Sequence, residues 1–562
     1  MPFDTVLPTA AAKKAERVSS GCDRQVHGLL AQMTGGLSPI LSAAAWFDWG
    51  SHLLMSPGKQ AELACSATES ALRTSLRISQ PSRSGRFADP AWSEWPYALF
   101  RDSHSACEAW WTEATTGVRG VSETHLRQVA ANARRMLDML SPANFLMTNP
   151  LVRQATLTSG GRNLLHGARN LTRDAHGVRP ATEYAVGENL AVTPGKVVFR
   201  NRLIELIQYA PTTETVRPEP ILIVPAWIMK YYILDLQPRN SMIRYLVDQG
   251  HTVFTISWLN PTAEDQDLGM EDYRTLGVMA AVDAVNGVVP DQKIHAAGYC
   301  LGGTMLSIAA AAMARDGDDR FASVTLFAAQ TDFTEPGELK LFINDTQLAW
   351  LDAMMSRRGC LDGAQMGAAF QLLRAEELLW TPFVQRYLLG ETDHPNDLMA
   401  WNADQTRMPY HMHSHYLSSL FGRNDLAEGR FRAGGHPIAL RDIRVPLFVL
   451  GTAKDHVAPW RSVYKINLLA RSDVTFVLAS GGHNAGVVSE PGHKGRFYQI
   501  LDLPASGPYV DQDTFLARAG QVTGSWWPAW QQWLAERSGD PVLPRVPAEA
   551  LCDAPGTYVM AR

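Results

Sequence analysis

Cysteine is scarce in this chain, which has six cysteines among 562 residues and no CxxC pair. The six are widely separated: Cys22, Cys65, Cys107, Cys300, Cys360 and Cys552. No His and Cys residues stand at the spacing of a metal site, so the sequence predicts neither a bound metal nor a disulfide framework. Scattered cysteines are typical of proteins from a reducing compartment, and we expect a cytoplasmic protein.

The chain also lacks the long hydrophobic and basic runs of membrane and nucleic-acid-binding proteins. Its most apolar stretch, Met305 to Met313, is too short to cross a bilayer, and its first residues contain no basic segment followed by an apolar one. Basic and acidic residues nearly balance, at 51 against 56. We therefore expect no transmembrane segment, no secretion and no nucleic-acid partner.

What the chain does have is the composition of a large globular protein. Hydrophobic residues make up 46% of it and charged residues 19%, and 16 tryptophans add bulky apolar surface. A length of 562 residues predicts either a large catalytic domain with insertions or two domains.

Residues 1–190 have helical patterns and predict a helical N-terminal domain. From Ser122 to Leu140 the apolar residues recur every three or four positions, after a serine that can cap a helix. The apolar stretch 29–54 is interrupted by glycines and a proline. It predicts short helices that either pack on a neighbouring domain or touch an apolar surface.

From about Gly195 short β-branched runs alternate with helical ones, which predicts a mostly parallel sheet in an α/β domain spanning residues 191–562. The predicted strands are Val197 to Phe199, Ile204 to Tyr209, Ile221 to Val224, Thr252 to Trp258, Ile294 to Ala297, Val324 to Ala328, Leu447 to Gly451 and Val474 to Leu478. Residues 333–441 interrupt this alternation with helical composition. A helical insertion of that length between two core strands predicts a cap over the site.

The sharpest chemical signal is Cys300, within the sequence GYCLGG at residues 298–303. It follows a predicted strand and precedes an alanine-rich helix, which is the pattern of a nucleophile elbow with cysteine in the serine position. The turn crowds the backbone, and the flanking glycines let the chain pass. Because a helix N-terminus favours a thiolate, we predict that Cys300 is a nucleophile; the alternative is a buried cysteine in a glycine-rich turn.

An acid and a base are predicted later in the chain, in the order nucleophile, acid, base that such elbows use. Asp455 and His483 each follow a predicted strand, so both stand where the carboxyl ends of parallel strands meet. Asp455 is expected to orient the imidazole of His483, which takes the Cys300 proton.

A second histidine, His456, competes for the role of base because it is adjacent to Asp455. Neighbouring residues leave a strand end in different directions, and Gly481 and Gly482 free the backbone before His483. We therefore assign the base to His483 and leave His456 either a supporting or a merely structural role.

The oxyanion of a tetrahedral intermediate needs N–H donors from the residue after the nucleophile and from the loop after an early strand. Leu301 is predicted to supply the first and Trp227 the second, although Trp227 could instead only line the pocket. Four further residues of this loop are candidates for positioning substrate, or lie at a solvated helix start: Lys230, Tyr231, Tyr232 and Asp235.

Nine stretches of the sequence are distinctive when taken together: DPAW from Asp89, SPANFLMTNP from Ser141, LTSGGRNLLHGARNL from Leu157, KYYILDLQP from Lys230, QGHTVFTISWLNP from Gln249, GYCLGGT from Gly298, WNADQTRMP from Trp401, DHVAPW from Asp455 and SGGHNAGVV from Ser480. Through these stretches the sequence resembles the polyhydroxyalkanoate synthases over about residues 85–535.

The resemblance implies an α/β-hydrolase fold with a mobile helical cap, and a helical N-terminal domain for assembly or granule association. It implies polymerisation of (R)-3-hydroxyacyl-CoA, with Cys300, Asp455 and His483 as nucleophile, acid and base. No cofactor is expected, since CoA is a leaving group. The expected partners are the substrate, the polyester granule surface and a second copy in a homodimer. The long N-terminal domain favours the type of synthase that works without a second kind of subunit.

The chain departs from the common family pattern at Ala226, Met229 and Asn484, where many members have proline, asparagine and isoleucine. These changes bear on acyl-chain preference more than on the chemistry. A thioesterase or polyester depolymerase would use the same fold and triad, but a cysteine nucleophile keeps the acyl group available for transfer. The intact trio argues against a granule protein without activity.

Overall fold

The computed structural model describes residues 26–28, 30–31, 38–76, 85–176, 183–392, 396–546 and 549–561. The chain divides into two compact units. Unit 1 comprises residues 1–32, 182–364 and 396–562, and unit 2 comprises residues 33–181 and 365–395.

The described α-helices are α1 (Pro39–Leu54), α2 (Pro57–Ser75), α3 (Tyr97–Ala114), α4 (Glu123–Met139), α5 (Pro150–Ser159), α6 (Arg162–Ala175), α7 (Met242–Asp248), α8 (Met270–Asp272), α9 (Ala280–Val288), α10 (Leu301–Asp316), α11 (Asp345–Arg358), α12 (Gly363–Leu373), α13 (Thr381–Phe383), α14 (Asp397–Ala403), α15 (Tyr410–Tyr416), α16 (Trp460–Tyr464), α17 (Ile466–Leu469), α18 (Gln512–Arg518) and α19 (Trp527–Ala535). The described residues also form π-helical segments, at Tyr273–Met279, Glu376–Trp380, Val384–Leu388 and Leu417–Gly422. Short 3₁₀ turns are Gly85–Phe87, Pro90–Ser93, Pro142–Asn144, Tyr231–Asp235, Ala263–Asp265, Gly337–Phe342, Leu440–Asp442 and Tyr558–Met560.

Eleven strands form the main sheet: β1 (Gly195–Arg200), β2 (Ile204–Tyr209), β3 (Ile221–Val224), β4 (Val253–Trp258), β5 (Ile294–Tyr299), β6 (Phe321–Phe327), β7 (Leu447–Thr452), β8 (Val474–Ala479), β9 (Phe497–Leu503), β10 (Gln521–Thr523) and β11 (Cys552–Asp553). Two small ribbons pair Cys360–Leu361 with Met408–Pro409, and Arg432–Ala433 with His436–Pro437.

The main sheet belongs to unit 1 and has the strand order β10-β9-β8-β7-β6-β5-β3-β4-β2-β1-β11. The six strands from β8 to β4 are parallel, and the outer strands on both sides are antiparallel. Strands that helices cover on both faces are expected to be continuously apolar, and β3, β5, β7 and β8 are buried along their whole length.

The α/β fold predicted from the sequence is confirmed, because all eight predicted strands are observed with ends within three residues of the prediction. The strands β9, β10 and β11 were not predicted. All three lie at the antiparallel edges of the sheet.

Unit 2 is helical. The predicted helix from Ser122 to Leu140 is confirmed as α4, and the Ser122 hydroxyl accepts a hydrogen bond from the backbone of His125 at 3.2 Å. The apolar stretch 29–54 forms one long helix from Pro39 onward, and residues 32–37 lie outside the described part of the chain. The middle of the predicted cap, residues 365–395, belongs to this unit, and the rest of the cap belongs to unit 1.

In the described ranges no helix is both long enough and apolar enough to cross a membrane.

Candidate active site

Cys300 lies in the turn between β5 and α10, with the backbone dihedral angles φ 53° and ψ −125°. A positive φ is costly for a residue with a side chain, so the surrounding hydrogen bonds must hold it. The Cys300 N–H donates to the Phe327 carbonyl at 2.9 Å, and its own carbonyl accepts from the N–H groups of Gly303 and Thr304. The strained turn places the thiol immediately before Leu301, the first residue of α10.

Two glycines make this turn possible. A Cβ atom on Gly298 would lie 2.4 Å from the Cα of Gly303, and one on Gly302 would lie 2.1 Å from the carbonyl oxygen of Val224. Both distances are far inside van der Waals contact. The second also brings the loop after β3 directly against the start of α10.

Asp455 and His483 are joined by a hydrogen bond of 2.7 Å between Oδ2 and Nδ1. Asp455 follows β7 and His483 follows β8, which is parallel to it. The carboxylate is fixed on its other sides by the Thr452 hydroxyl at 2.8 Å and by the N–H groups of Val457 and Ala458. The side chain of Cys300 also interacts electrostatically with the imidazole of His483.

The electrostatics of this group favour a charged imidazole. Burial alone would raise the pKa of Asp455, but His483 and the donated hydrogen bonds hold it below its usual value. Burial alone would lower the pKa of His483, but the charge on Asp455 and the side chain of Cys300 hold it well above its usual value. An imidazolium beside Cys300 stabilises a thiolate, which is the reactive form of cysteine.

The two predicted oxyanion donors lie on adjacent pieces of backbone. Leu301 is the first residue of α10, and Trp227 is in the loop after β3, which is paired in parallel with β5. Both side chains are buried. The Trp227 carbonyl accepts a hydrogen bond from the Thr406 hydroxyl at 3.1 Å, and its ring packs 5.4 Å from that of Tyr273.

The two supporting candidates lie in different surroundings. The backbone carbonyl of His456 lies close to Gly337, whereas the carboxylate beside His456 in sequence is bonded to His483. Asp235 is buried and accepts hydrogen bonds from Thr193 and Ser241 at 2.5 and 2.6 Å, so it fixes the start of α7. Burial raises the pKa of Asp235 despite these bonds. Asp235 and its neighbours at 230–232 are buried, which makes the alternative of a solvated helix start wrong.

Two contacts of the site were missed from the sequence. The Tyr299 hydroxyl donates to Oδ1 of Asn484 at 2.6 Å, and the Tyr299 ring lies 5.5 Å from the imidazole of His483. In α15, Tyr416 has its ring edge-on to Trp227 at 6.4 Å, and its phenol is within electrostatic range of Cys300. Neither contact has a local sequence signal, because the partners are far apart in the chain.

No three or more His, Cys, Asp or Glu side chains of the described residues are grouped so that they could hold a metal ion.

Three family models match the chain. "Poly-beta-hydroxybutyrate polymerase N terminal" matches residues 18–59, "Poly-beta-hydroxybutyrate polymerase (PhaC) N-terminus" matches residues 83–246, and "alpha/beta hydrolase fold" matches residues 219–489.

The chain is also similar to named proteins. It is 40% identical to the poly(3-hydroxyalkanoate) polymerase of Methylorubrum extorquens, over 86% of this chain and 81% of that one. It is 38% identical to the poly(3-hydroxyalkanoate) polymerase subunit PhaC of Rhizobium meliloti, over 85% and 79%. Among solved structures, the monoacylglycerol lipase of Paleococcus ferrophilus matches with a TM-score of 0.34 and 12% identity, over 60% of this chain and 99% of that one.

Proposed function

This chain belongs to the poly(3-hydroxyalkanoate) polymerase family, and we propose that it polymerises (R)-3-hydroxyacyl groups from coenzyme A thioesters with Cys300 as the acyl carrier. The observation that carries the proposal is the hydrogen bond from His483 to Asp455, together with the electrostatic interaction of His483 with Cys300, at the carboxyl end of a parallel sheet. A thiolate attacks a thioester readily and forms a new thioester, which keeps the acyl group available for transfer.

In the first half-reaction, His483 accepts the proton of the Cys300 thiol while Asp455 holds the imidazole by its Nδ1–H group. The sulfur attacks the thioester carbonyl, and the N–H groups of Leu301 and Trp227 donate to the oxyanion. The bond between the carbonyl carbon and the coenzyme A sulfur then breaks. The leaving thiolate takes the proton from His483, and the acyl group remains on Cys300.

In the second half-reaction, the hydroxyl group of another hydroxyacyl unit is the acceptor. His483 takes the hydroxyl proton, and the oxygen attacks the carbonyl carbon of the Cys300 thioester. An ester bond forms, the carbon–sulfur bond to Cys300 breaks, and the cysteine recovers the proton from His483. The proposed reaction uses no cofactor, because coenzyme A serves only as the leaving group.

Transfer to a hydroxyl group requires that water be kept away from the thioester. We assign this role to the predicted cap, residues 333–441, as a mobile cover. Aromatic contacts within unit 1 support this assignment. Tyr416 of the cap packs against Trp227. The ring of Phe421 lies 5.3 Å from that of Tyr416 and 4.7 Å from that of Phe333. Such a wall accommodates an acyl chain and disfavours water.

The experiment is to incubate the purified protein with (R)-3-hydroxybutyryl-CoA and to measure coenzyme A, polymer and free acid. Polymer with release of coenzyme A is expected. We expect Cys300→Ala to abolish the release, and Cys300→Ser to keep a trace at most, because a hydroxyl needs stronger base assistance than a thiol whose unperturbed pKa is about 8.5. The exposed Cys65 gives the control, Cys65→Ala, which should retain full activity.

Two results would contradict the proposal. Wild-type activity in Cys300→Ala would remove the nucleophile assignment. Production of free acid without polymer would assign the chain to thioesterases or depolymerases, which use the same triad.

We further propose that the chain acts in the cytoplasm as a homodimer on polyester granules, without a second kind of subunit, and that unit 2 faces the granule. The exposed apolar surface of unit 2 supports the proposal that this unit faces the granule. In α1, Ile40, Phe47 and Leu54 recur every seven residues and are all exposed, so they form one stripe on the helix. An apolar groove of about 530 Å³ between α2 and α3 is lined by Ala71, Leu99 and neighbouring residues.

A further inference from the structure

The ammonium group of Lys230 is buried three residues after Trp227, in the same loop. It donates to the backbone carbonyls of Val559 at 2.5 Å and Ala561 at 2.9 Å, and it pairs with Oδ1 of Asp404 at 3.1 Å. A lysine ammonium has three N–H donors. Three acceptors from two distant parts of the chain therefore use its full capacity.

The first of these parts is a segment that we call the strap, residues 551–561. Its strand β11 pairs with β1 at the edge of the main sheet. The buried carboxylate of Glu205, on β2, then fixes the turn of the strap by accepting hydrogen bonds from the N–H groups of Thr557 and Tyr558, both at 2.9 Å. The strap is thus tied to the sheet on one side of the carbonyls that bind Lys230.

The second part is the segment Trp401–Thr406, which contains Asp404. Its Trp401 indole donates to the Lys230 carbonyl at 2.8 Å, and its Thr406 hydroxyl donates to the Trp227 carbonyl at 3.1 Å. Met229 and Gln405 form an antiparallel bridge between these two bonds. The loop 227–230 is therefore held along its backbone by this segment and at its end by the Lys230 side chain.

We propose that Lys230 is a positioning residue for the acyl-transfer reaction: by joining the loop to the strap and to Asp404, it sets the direction of the Trp227 N–H donor. The inference rests on the proposed function, in which that N–H binds the oxyanion. An oxyanion donor acts only when it is aligned before the reaction, and a displacement of about 1 Å is enough to lose about 10²-fold in rate.

Two reactions of Cys300 separate this role from a general effect on the site. Acylation by p-nitrophenyl butyrate passes through a tetrahedral oxyanion and releases p-nitrophenolate. Alkylation by iodoacetamide displaces iodide from a saturated carbon and forms no oxyanion. Both rates are measured at Cys300 in the full-length protein by peptide mapping, which separates it from the other cysteines.

We expect Lys230→Met to slow the acylation about 10²-fold, the loss seen when an oxyanion donor is removed, and to leave the alkylation within about twofold. Asp404→Asn should slow the acylation less, with the same selectivity. If Lys230→Met does not fold, Asp404→Asn tests the inference by the same comparison of the two rates. The matched control is Lys196→Met, because Lys196 also pairs with the strap, at Asp553, but is about half exposed. It should leave both rates unchanged.

Equal slowing of the two reactions in the variants of Lys230 and Asp404 would overturn the inference, and so would unchanged acylation. The readout does not depend on polymer formation. A wild-type protein that is acylated by the ester but makes no polymer from (R)-3-hydroxybutyryl-CoA would contradict the proposed function, and the comparison of variants would still decide the role of Lys230.

Discussion

At the scale of single residues, the imidazole of His483 is the member of the candidate triad that interacts with both of the others. Its Nδ1 is bonded to Asp455, whose remaining acceptors are used by Thr452 and by backbone N–H groups. The carboxylate is therefore held in one orientation, and it in turn fixes the tautomer and the plane of the imidazole. The carboxylate that precedes His456 in the sequence is thus bonded to His483.

We predict that His483→Gln lowers the rate of coenzyme A release by about 10²- to 10⁴-fold, the usual contribution of a general base. His456→Gln should cost much less, and it serves as the matched control because it removes the neighbouring imidazole. Initial rates with (R)-3-hydroxybutyryl-CoA give the comparison. A larger loss in His456→Gln than in His483→Gln would transfer the base to His456.

The residues of the candidate triad could be proposed from the sequence because each depends on a local pattern: glycines around a turn, or a polar residue just after an apolar strand. The partners of Lys230 could not be predicted, because Val559 and Ala561 lie 329 and 331 residues further along the chain. The same holds for the bond from Tyr299 to Asn484. No propensity or periodicity records which distant backbone carbonyl a buried side chain will reach.

At the scale of elements, the contacts of α6 explain why asparagine and glycine occur in the motif that begins at Leu157. Asn163 donates to the Leu388 carbonyl at 2.8 Å, and Asn170 donates to the carbonyls of Arg386 and Glu391 at 3.1 Å. A Cβ atom on Gly167 would lie 1.8 Å from the Tyr387 carbonyl oxygen, so only glycine permits this approach. The motif residues of α6 thus hold the segment 384–391 inside unit 2.

An ion pair completes this contact. Asp174, in the last turn of α6, accepts two hydrogen bonds from the Arg386 guanidinium at 2.6 and 2.7 Å and one from the Tyr387 hydroxyl at 2.7 Å. The hydrogen bond from Arg386 is the main cause that holds the pKa of Asp174 below its usual value. A carboxylate with a lowered pKa stabilises the folded state above its unfolded pKa of about 3.9, and this stabilisation is lost as the pH falls through the folded pKa.

We predict that Asp174→Asn speeds hydrogen exchange of the backbone amides in residues 384–391 by roughly fivefold at pH 7, as expected for a partly exposed ion pair that contributes about 1 kcal/mol. Wild type and variant are compared at each pH. The difference should be constant from about pH 6 to 8 and should shrink below about pH 4, where the carboxylate begins to be protonated.

The control for this prediction is Glu123→Gln, which removes an exposed carboxylate that pairs with Arg127 within α4. It should leave the exchange of residues 384–391 unchanged. An Asp174→Asn protein with wild-type exchange in that segment would mean that the asparagine contacts alone hold it.

The helices of unit 2 and the long insertion differ in how far the sequence could predict them. The capping serine and the three- and four-residue spacing identified α4 within one residue at each end, since both signals are local. The insertion was predicted as one cap, because its position between two strands is all that the sequence records. That residues 365–395 belong to unit 2 depends on side chains of α6 and on Arg86, which pairs with Glu376 at 2.7 Å.

At the scale of the whole molecule, the two units differ in the surface that they expose. Eight large apolar side chains among the described residues are more than 70% exposed: Phe47, Leu54, Met55, Trp95, Met147 and Leu157 in unit 2, and Leu543 and Val546 in unit 1. Six of the eight therefore lie in the smaller unit. The candidate triad lies in the larger one. Large exposed apolar patches mark surfaces that bind something apolar, and the product proposed for this enzyme is a polyester granule.

We predict that replacing the apolar stripe of α1 by Ile40→Ser, Phe47→Ser and Leu54→Ser weakens binding to the granule and leaves catalysis at Cys300 intact. The three side chains are 57%, 79% and 74% exposed, so their loss costs the folded protein little. If each buries only part of its surface on the polymer, for about 0.5 kcal/mol, the three together lower the affinity roughly tenfold. Co-sedimentation with preformed poly(3-hydroxybutyrate) granules measures the affinity, and release of p-nitrophenolate measures acylation of Cys300.

The matched control replaces the exposed Leu468, Leu543 and Val546 of unit 1 by serine and should leave both quantities unchanged. Equal loss of binding in the two triple variants would mean that granule attachment is spread over both units. A dimer that dissociates in the α1 variant with granule binding retained would make the stripe a contact between two copies of the chain.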